Sequence, residues 1–403
     1  MVAVTVAGGL TVSQRNTTNG TGIGPSTLRH PAPPQDGDEP TTLPRVSTRA
    51  WPAALLPIVA LAAACGEAPP PTTAPPIPPA PSASASASVP PTAPPTASAP
   101  PPAPPAPKPL AELQLAALAA GAAALNAHDA ARYAELFGPN VIHKEASAPD
   151  LRGRREVQLR TQLLFDSFPD FRFTFDKVWL KDHIAIATWR WAGTDRGGFL
   201  QRKPTNRAAG LTGVVVGFFN ADGQVRQVHL YEDGQNVVAQ LDPAAKPGSF
   251  RPPPPRPDEQ NTSLEVVASK NHPDEAKTLE IARALYDAIE AKKEAESAAL
   301  FADDAVIDDR AAAPKPGAGP AAWRALLKGW SQAFGAFTEL PLYNLMAVGD
   351  TFVVERVLKG TTAGKPVSLH AIDVVETRGG KITRFTSWSN GLEIAAQTKP
   401  VRR

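Results

Sequence analysis

Hydrophobic positions along the chain recur with two periods, and the two periods alternate twice. Leu110, Leu113, Leu118 and Leu125 lie at helical spacing among many alanines and predict a first helix ending near Asn126–Asp129. A second short helix ends at Leu136 and Phe137, a short strand is expected at Val141 and Ile142, and a third helix covers Arg155–Ser167. The period then drops to two. Phe171, Phe173 and Phe175 alternate with polar residues, as they do in a half-buried strand. Ile184–Trp191, Leu211–Phe219 and Val225–Tyr231 predict further strands, the last two joined by a hairpin turn at Asp222 and Gly223.

The same series begins again at Pro273, a residue suited to the first turn of a helix. Leu279, Ala282, Tyr286 and Ile289 follow at helical spacing, and a second helix ends at Leu300 and Phe301. A short strand at Val306 and Ile307 and a helix over Ala321–Phe334 come next. Strands are then predicted at Thr351–Leu358, Val367–Glu376 and Ile382–Trp388, with Gly379 and Gly380 at the matching turn. Gly193 and Thr194 align with Gly360 and Thr361, and Tyr231–Gly234 with Trp388–Gly391. The chain is therefore expected to be α+β, a tandem duplication of a unit in which three helices pack on a curved, mainly antiparallel sheet.

Proline placement marks the boundaries. Of 45 prolines in 403 residues, 19 lie in Pro69–Pro109 and five in Pro252–Pro257, whereas the two periodic stretches share ten. Proline interrupts helices and central strands, so the folded domains are expected at 110–242 and 273–395. Residues 66–109, rich in Pro, Ala and Ser, form a solvated tether, 243–272 a linker of similar character, and 396–403 a tail. Upstream, Arg49 precedes an uncharged run, Ala50–Ala64, which is too short for a comfortable membrane span and ends at the single Cys. Residues 46–65 resemble a bacterial lipoprotein signal. That resemblance implies lipidation at Cys65, membrane attachment through the lipid, and a place at the cell envelope. Residues 1–45 carry no hydrophobic period and are expected to be disordered, with translation starting at Val46.

Charge and cysteine content exclude several classes. Residues 110–242 hold 15 basic and 15 acidic side chains, and residues 273–395 hold 14 and 17. Neither has the positive excess of a nucleic-acid-binding domain. One Cys makes no internal disulfide, and no Cys/His spacing fits a zinc site. Asp303, Asp304, Asp308 and Asp309 are read as solvated charge in a polar turn, so neither metal nor cofactor is expected.

The first repeat, over roughly 112–242, resembles the SnoaL-like polyketide cyclases of the nuclear-transport-factor-2-like superfamily. The matching pieces are Asn126–Asp129, Phe168–Asp170, Gly193–Leu200, Pro204 and Thr205, Asp222–Val225, Tyr231–Asp233, and Gln240 and Leu241. The second repeat is a more degenerate copy. The resemblance implies cone-shaped barrels with a pocket between sheet and helices, often paired. It also implies that Asp233 is a general base that takes a proton beside a carbonyl. Gln227, His229, Tyr231 and Asp233 share one parity on their strand, which would bring Tyr231 and His229 beside that base. Capping by Asp233 and core packing by Tyr231 and His229 are the alternatives. Asp195 stands where the family often has His and would place a second carboxylate near Asp233. His143, Trp191, Trp388 and Asn390 complete the candidate binding residues. Asn390 and Thr362 occupy the positions of Asp233 and Asp195 in the second repeat, which argues against a second active site. The expected function is an envelope lipoprotein that binds a small hydrophobic molecule, with an aldol-type cyclase or isomerase in the first domain as the alternative. The repeats are expected to pack on each other, or to pair between chains, through their outer sheet faces.

Overall fold

The computed structural model describes residues 2–6, 10–14, 108–257, 263–335, 337 and 340–398. Cys65, the signal-like stretch and the tether lie outside the described residues. Strands β1 (Val2–Val6) and β2 (Leu10–Gln14) form an antiparallel hairpin. The first domain opens with α1 (Leu110–Asn126) and α2 (Ala130–Glu135). Asp129 starts α2 by accepting from the Arg132 amide, which satisfies one of the donors a helix start leaves unpaired. Next come β3 (Phe137–Glu145), β4 (Leu151–Arg152) and α3 (Arg154–Ser167). An antiparallel meander follows: β5 (Arg172–Lys181), β6 (Ile184–Thr194), β7 (Ala208–Phe219) and β8 (Val225–Glu232). The domain closes with α4 (Gly234–Leu241).

β9 (Ser263–Ala268) lies within the 243–272 stretch and pairs in parallel with β5, and β2 pairs in parallel with β9. The second domain repeats the order. It runs α5 (Pro273–Glu290), α6 (Glu294–Ala299), β10 (Phe301–Asp309), β11 (Gly317–Ala318) and α7 (Gly319–Phe334). β12 (Leu342–Val348), β13 (Thr351–Thr362), β14 (Lys365–Arg378), β15 (Lys381–Ser389) and α8 (Gly391–Thr398) complete it. The nine-stranded sheet has the order β1-β2-β9-β5-β6-β7-β8-β3-β4, and the six-stranded sheet β11-β10-β15-β14-β13-β12. In each, the first long strand of the repeat returns to pair in parallel with the last, β3 with β8 and β10 with β15. The fold is α+β, two separate mixed sheets with their own helices.

Period-two alternation gives each sheet two apolar faces. On the first sheet, Trp189 and Trp191 of β6 and Leu211 of β7 face the helices and join Phe165 and Val237 in one core. Their out-of-phase neighbours Ile186, Val214 and Val216 pack against Val353, Ile372 and Val374 of the second sheet. The two sheets thus meet face to face, helices outward.

The interior of the second domain is packed with large side chains. Trp323, Trp330, Phe352 and Phe385 are buried in one cluster. Arg356 and Asp373 join them as a buried ion pair, with Arg356 Nε 2.6 Å from Asp373 Oδ2 and the guanidinium stacked 4.6 Å from the Trp330 ring. Asp308 and Asp309 correct the reading of solvated charge. They end β10 rather than lying in a turn, and both are buried. Arg310 and Arg251 pair with Asp308, and Trp330 Nε1 donates to Asp309 Oδ2 at 2.9 Å. Asp303 and Asp304 are exposed.

Candidate functional site

Between the helices and the inner face of the first sheet lies a cavity of ≈ 180 Å³. Its wall is aromatic on the sheet side: Phe171 just before β5, Phe173 and Phe175 from β5, and Trp189 and Trp191 from β6. Leu125, Tyr133 and Leu164 close it from the helices, and burial pushes the Tyr133 phenol up to about 12. Two glycines on β7 shape the floor. Gly213 is paired with Trp189, and a Cβ there would stand 2.2 Å from the indole, so glycine lets the ring lie across the neighbouring strand. Gly217 lines the cavity directly and adds no side chain to fill it.

One region of the wall is polar. His143 and Glu145 project from β3, Glu232 from the end of β8, and Arg160 from α3. Arg160 Nη2 lies 3.2 Å from Glu145 Oε2, and this pair holds the guanidinium above its usual pKa. Ser147 donates to Glu145 Oε1 at 3.0 Å. Burial, reinforced by Glu145 and opposed by Arg160, pushes the Glu232 carboxyl up to about 8. Burial drives His143 the other way, to about 4. At neutral pH the wall therefore carries a neutral imidazole, a protonated carboxyl and one internally paired guanidinium. His143 Nδ1 and Trp189 Nε1 are buried without a hydrogen-bond partner. Among the described residues no cluster of His, Cys, Asp and Glu is placed to hold a metal ion.

The sequence-derived candidates separate into three places. His143 and Trp191 line the cavity. Asp195 does not stand beside Asp233. It is 1% exposed and accepts the amides of Gly198, Phe199 and Thr205 and the Thr205 hydroxyl at 2.8–3.0 Å. It thereby ties the 195–205 loop, which brings Phe199 to the cavity. Asp233 caps α4, accepting from the Gln235 amide and, across the domain boundary, from the Gly391 amide, each at 3.2 Å. Burial pushes it up to about 7 against those bonds.

Tyr231 and His229 lie on the opposite face of β8 from the cavity. Their partner is Glu355 of β13, whose Oε1 is 2.7 Å from the Tyr231 hydroxyl and 2.6 Å from His229 Nδ1. Tyr343 is hydrogen-bonded to Tyr231, and Gln227 to His229. The shared parity of Gln227, His229 and Tyr231 is real, but that face meets the second domain. The strand ends before Asp233, so the alternation does not carry through to it.

A family model described as SnoaL-like polyketide cyclase matches residues 116–241, and one described as SnoaL-like domain matches residues 282–385. The chain carries two SnoaL-like domains in tandem. None of the curated proteins matches it. Similar solved structures include a protein of ketosteroid isomerase-like fold from Catenulispora acidiphila in complex with trimethylamine. It is 21% identical over 30% of this chain and 92% of that one, with a TM-score of 0.28. Another is an LEH-like epoxide hydrolase of M. tuberculosis, 18% identical over 31% and 91%, with a TM-score of 0.27. A third is a nuclear-transport-factor-2-like protein from Burkholderia xenovorans, 19% identical over 31% and 97%, with a TM-score of 0.27.

In the second SnoaL-like domain, Trp388 does not line a pocket of its own. It packs between the sheets, with its indole nitrogen 3.4 Å from Thr212 Oγ1 of the first domain. Asn390 is buried and donates to Ser147 Oγ at 2.8 Å while capping α8 through the Leu392 amide. Asp233 and Asn390 thus fill matching roles, each at a helix start and each bonded into the other SnoaL-like domain. The polar wall of the first domain escapes a reading centred on Asp233, because Glu232 is its out-of-phase neighbour. The signal for it is the apolar pair Val228 and Leu230, whose parity Glu232 shares and which faces the cavity.

Proposed function

We propose that the first SnoaL-like domain binds a small apolar molecule and that the second is its packing partner. The observation that carries this is the cavity of the first domain, aromatic over most of its wall with one cluster of polar groups, the usual composition of a ligand site. The cluster of large buried side chains in the second domain supports the division of roles. We further propose that Cys65 carries a lipid and that the Pro-rich tether holds the pair off the membrane at the cell envelope. The signal-like stretch 46–65 supports this. Solvent extraction and mass spectrometry of the natively purified protein test the first part. A small molecule should co-purify with the wild type and be absent from Ala185→Phe, which fills the cavity from β6. Its absence from both would reject binding. Labelled fatty acid should enter the wild type and not Cys65→Ser, and an unlabelled wild type would reject the anchor.

One observation favours a second reading, proton transfer. A carboxyl with a pKa near 8 on an apolar cavity wall is poised to exchange a proton with a carbonyl compound. In this reading Glu232, which lines the cavity, is a better placed acid or base than Asp233, which is held by backbone amides. Deuterium exchange next to the carbonyl of a bound ketone should then stop in Glu232→Gln and continue in Asp233→Asn. The reverse pattern would restore Asp233 as the base.

A further inference from the structure

The cavity carries more information about its occupant than its apolarity. Trp189 is 4% exposed, lines the cavity, and its Nε1 has no hydrogen-bond partner. An indole N–H is a donor only, and an unpaired buried donor costs on the order of 1–3 kcal/mol. Most buried polar groups in folded proteins are paired, so an exception on a cavity wall calls for a reason. His143 Nδ1 is a second unpaired atom on the same wall. Charge is arranged differently. Arg160 is the only Lys or Arg among the described residues lining the cavity, and it is already bridged to Glu145. An anionic ligand would enter beside Glu145 with no free cation to meet it. Size sets the last limit, because a cavity of about 150 Å³ accepts benzene. At ≈ 180 Å³ this one holds one ring with a short substituent, and a skeleton of three or four fused rings does not fit.

We propose that the cavity takes a compact, uncharged, single-ring molecule bearing one hydrogen-bond-accepting oxygen, a ketone or aldehyde, and that Trp189 donates to that oxygen. This rests on the reading of the cavity as a ligand site. It narrows that reading against multi-ring compounds, acids and plain hydrocarbons, and it makes Trp189 the residue that separates them.

The test is titration of the full chain with acetophenone, with α-methylstyrene, which has the same shape without the oxygen, and with benzoate. Acetophenone should bind about ten-fold tighter than α-methylstyrene, as one hydrogen bond implies, and benzoate should not bind. Trp189→Phe should remove the ten-fold advantage and leave α-methylstyrene unchanged. Nuclear magnetic resonance of the wild type gives a measurement independent of that variant's folding. One of the seven indole N–H signals should move downfield with acetophenone and stay in place with α-methylstyrene. Equal binding of the two neutral compounds, tighter binding of benzoate, or an unmoved indole signal would overturn the inference while leaving a ligand cavity. If neither neutral compound binds, the cavity reading falls and the inference falls with it.

Discussion

Removing one member of the buried ion pair in the second domain should be costly, and removing both should not. Arg356 is 2% exposed and Asp373 is fully buried. Their contact is bidentate, Nε to Oδ2 at 2.6 Å and Nη2 to Oδ1 at 3.1 Å. The Tyr286 hydroxyl donates to Asp373 Oδ2 at 2.6 Å, and Arg356 also donates to Ser387. Asp373→Asn keeps the shape and deletes the charge, leaving a guanidinium in a closed interior. Breaking a buried pair in this way costs about 3–5 kcal/mol, a large part of the roughly 5–15 kcal/mol that holds a domain together. Replacing both, Arg356→Met with Asp373→Leu, in a Tyr286→Phe background that leaves no hydroxyl without its acceptor, removes the desolvation problem along with the attraction and should leave stability within about 1 kcal/mol of that background. With Arg356→Met and Asp373→Leu also made singly in that background, the double-mutant cycle should return a coupling of about 3 kcal/mol or more. The assay is urea unfolding of the full chain, with amide exchange of β13 and β14 by mass spectrometry to locate the loss. If Asp373→Asn costs less than about 1 kcal/mol, solvent reaches the pair. The burial of this pair, and with it the assignment of the second domain as packing partner, would then fail.

Three further outcomes follow from other sites. Glu355→Ala should deprive His229 and Tyr231 of their shared carboxylate between the sheets, lower stability by on the order of 3 kcal/mol, and raise amide exchange in β8 and β13 together; exchange rising in one strand alone would contradict the shared cluster. Glu232 has its folded pKa raised from 4.5 to about 8, so its favourable contribution is full below pH 4.5 and is lost as pH rises through 8. Glu232→Gln should therefore gain stability over the wild type across that window, and parallel urea midpoints from pH 4.5 to 8.5 would reject the buried carboxyl. Asp195→Ala removes the acceptor of four hydrogen bonds and should cost about 2 kcal/mol or more, read as a lower Tm; an unchanged Tm would show the 195–205 loop to be held by something else.

The architecture was legible in the sequence because both periods are strong and occur twice. Strands β6, β7 and β8 are predicted to within a few residues, β8 as Val225–Tyr231 against Val225–Glu232 observed, whereas β5 runs six residues beyond Phe175 and β12 is not predicted. Helices α4 and α8 were not foreseen. Each has eight residues, too few for a periodic pattern, and each is set up by a cap residue and contacts supplied from the other domain. β9 was missed because it lies in a stretch read from its prolines, and its pairing with β5 is long-range. The site was less legible for a physical reason. Alternation states which residues share a face, and nothing in it states which face is inside. With apolar sets on both faces of the sheet, Tyr231 and His229 were assigned to the pocket side, while Val228 and Leu230 held it. Asp195 and Asp233 are held by backbone amides, and no side-chain motif records that kind of partner.

The cluster around Glu355 also determines which surfaces can recognise each other. A sheet face that pairs with a copy of itself must be complementary to its own image. Here the alignment of Gly193 with Gly360 puts Thr188 at the place that Glu355 holds in the second domain. A first domain laid against another first domain would therefore meet His229 and Tyr231 with threonine and no carboxylate. A second domain laid against another second would bury Glu355 without its imidazole and phenol. Each mismatch strands a buried polar group, and such penalties are how proteins reject wrong partners. The two halves do not carry interchangeable surfaces. The interface selects its opposite number, so that each domain is held to the other and neither to a copy of itself.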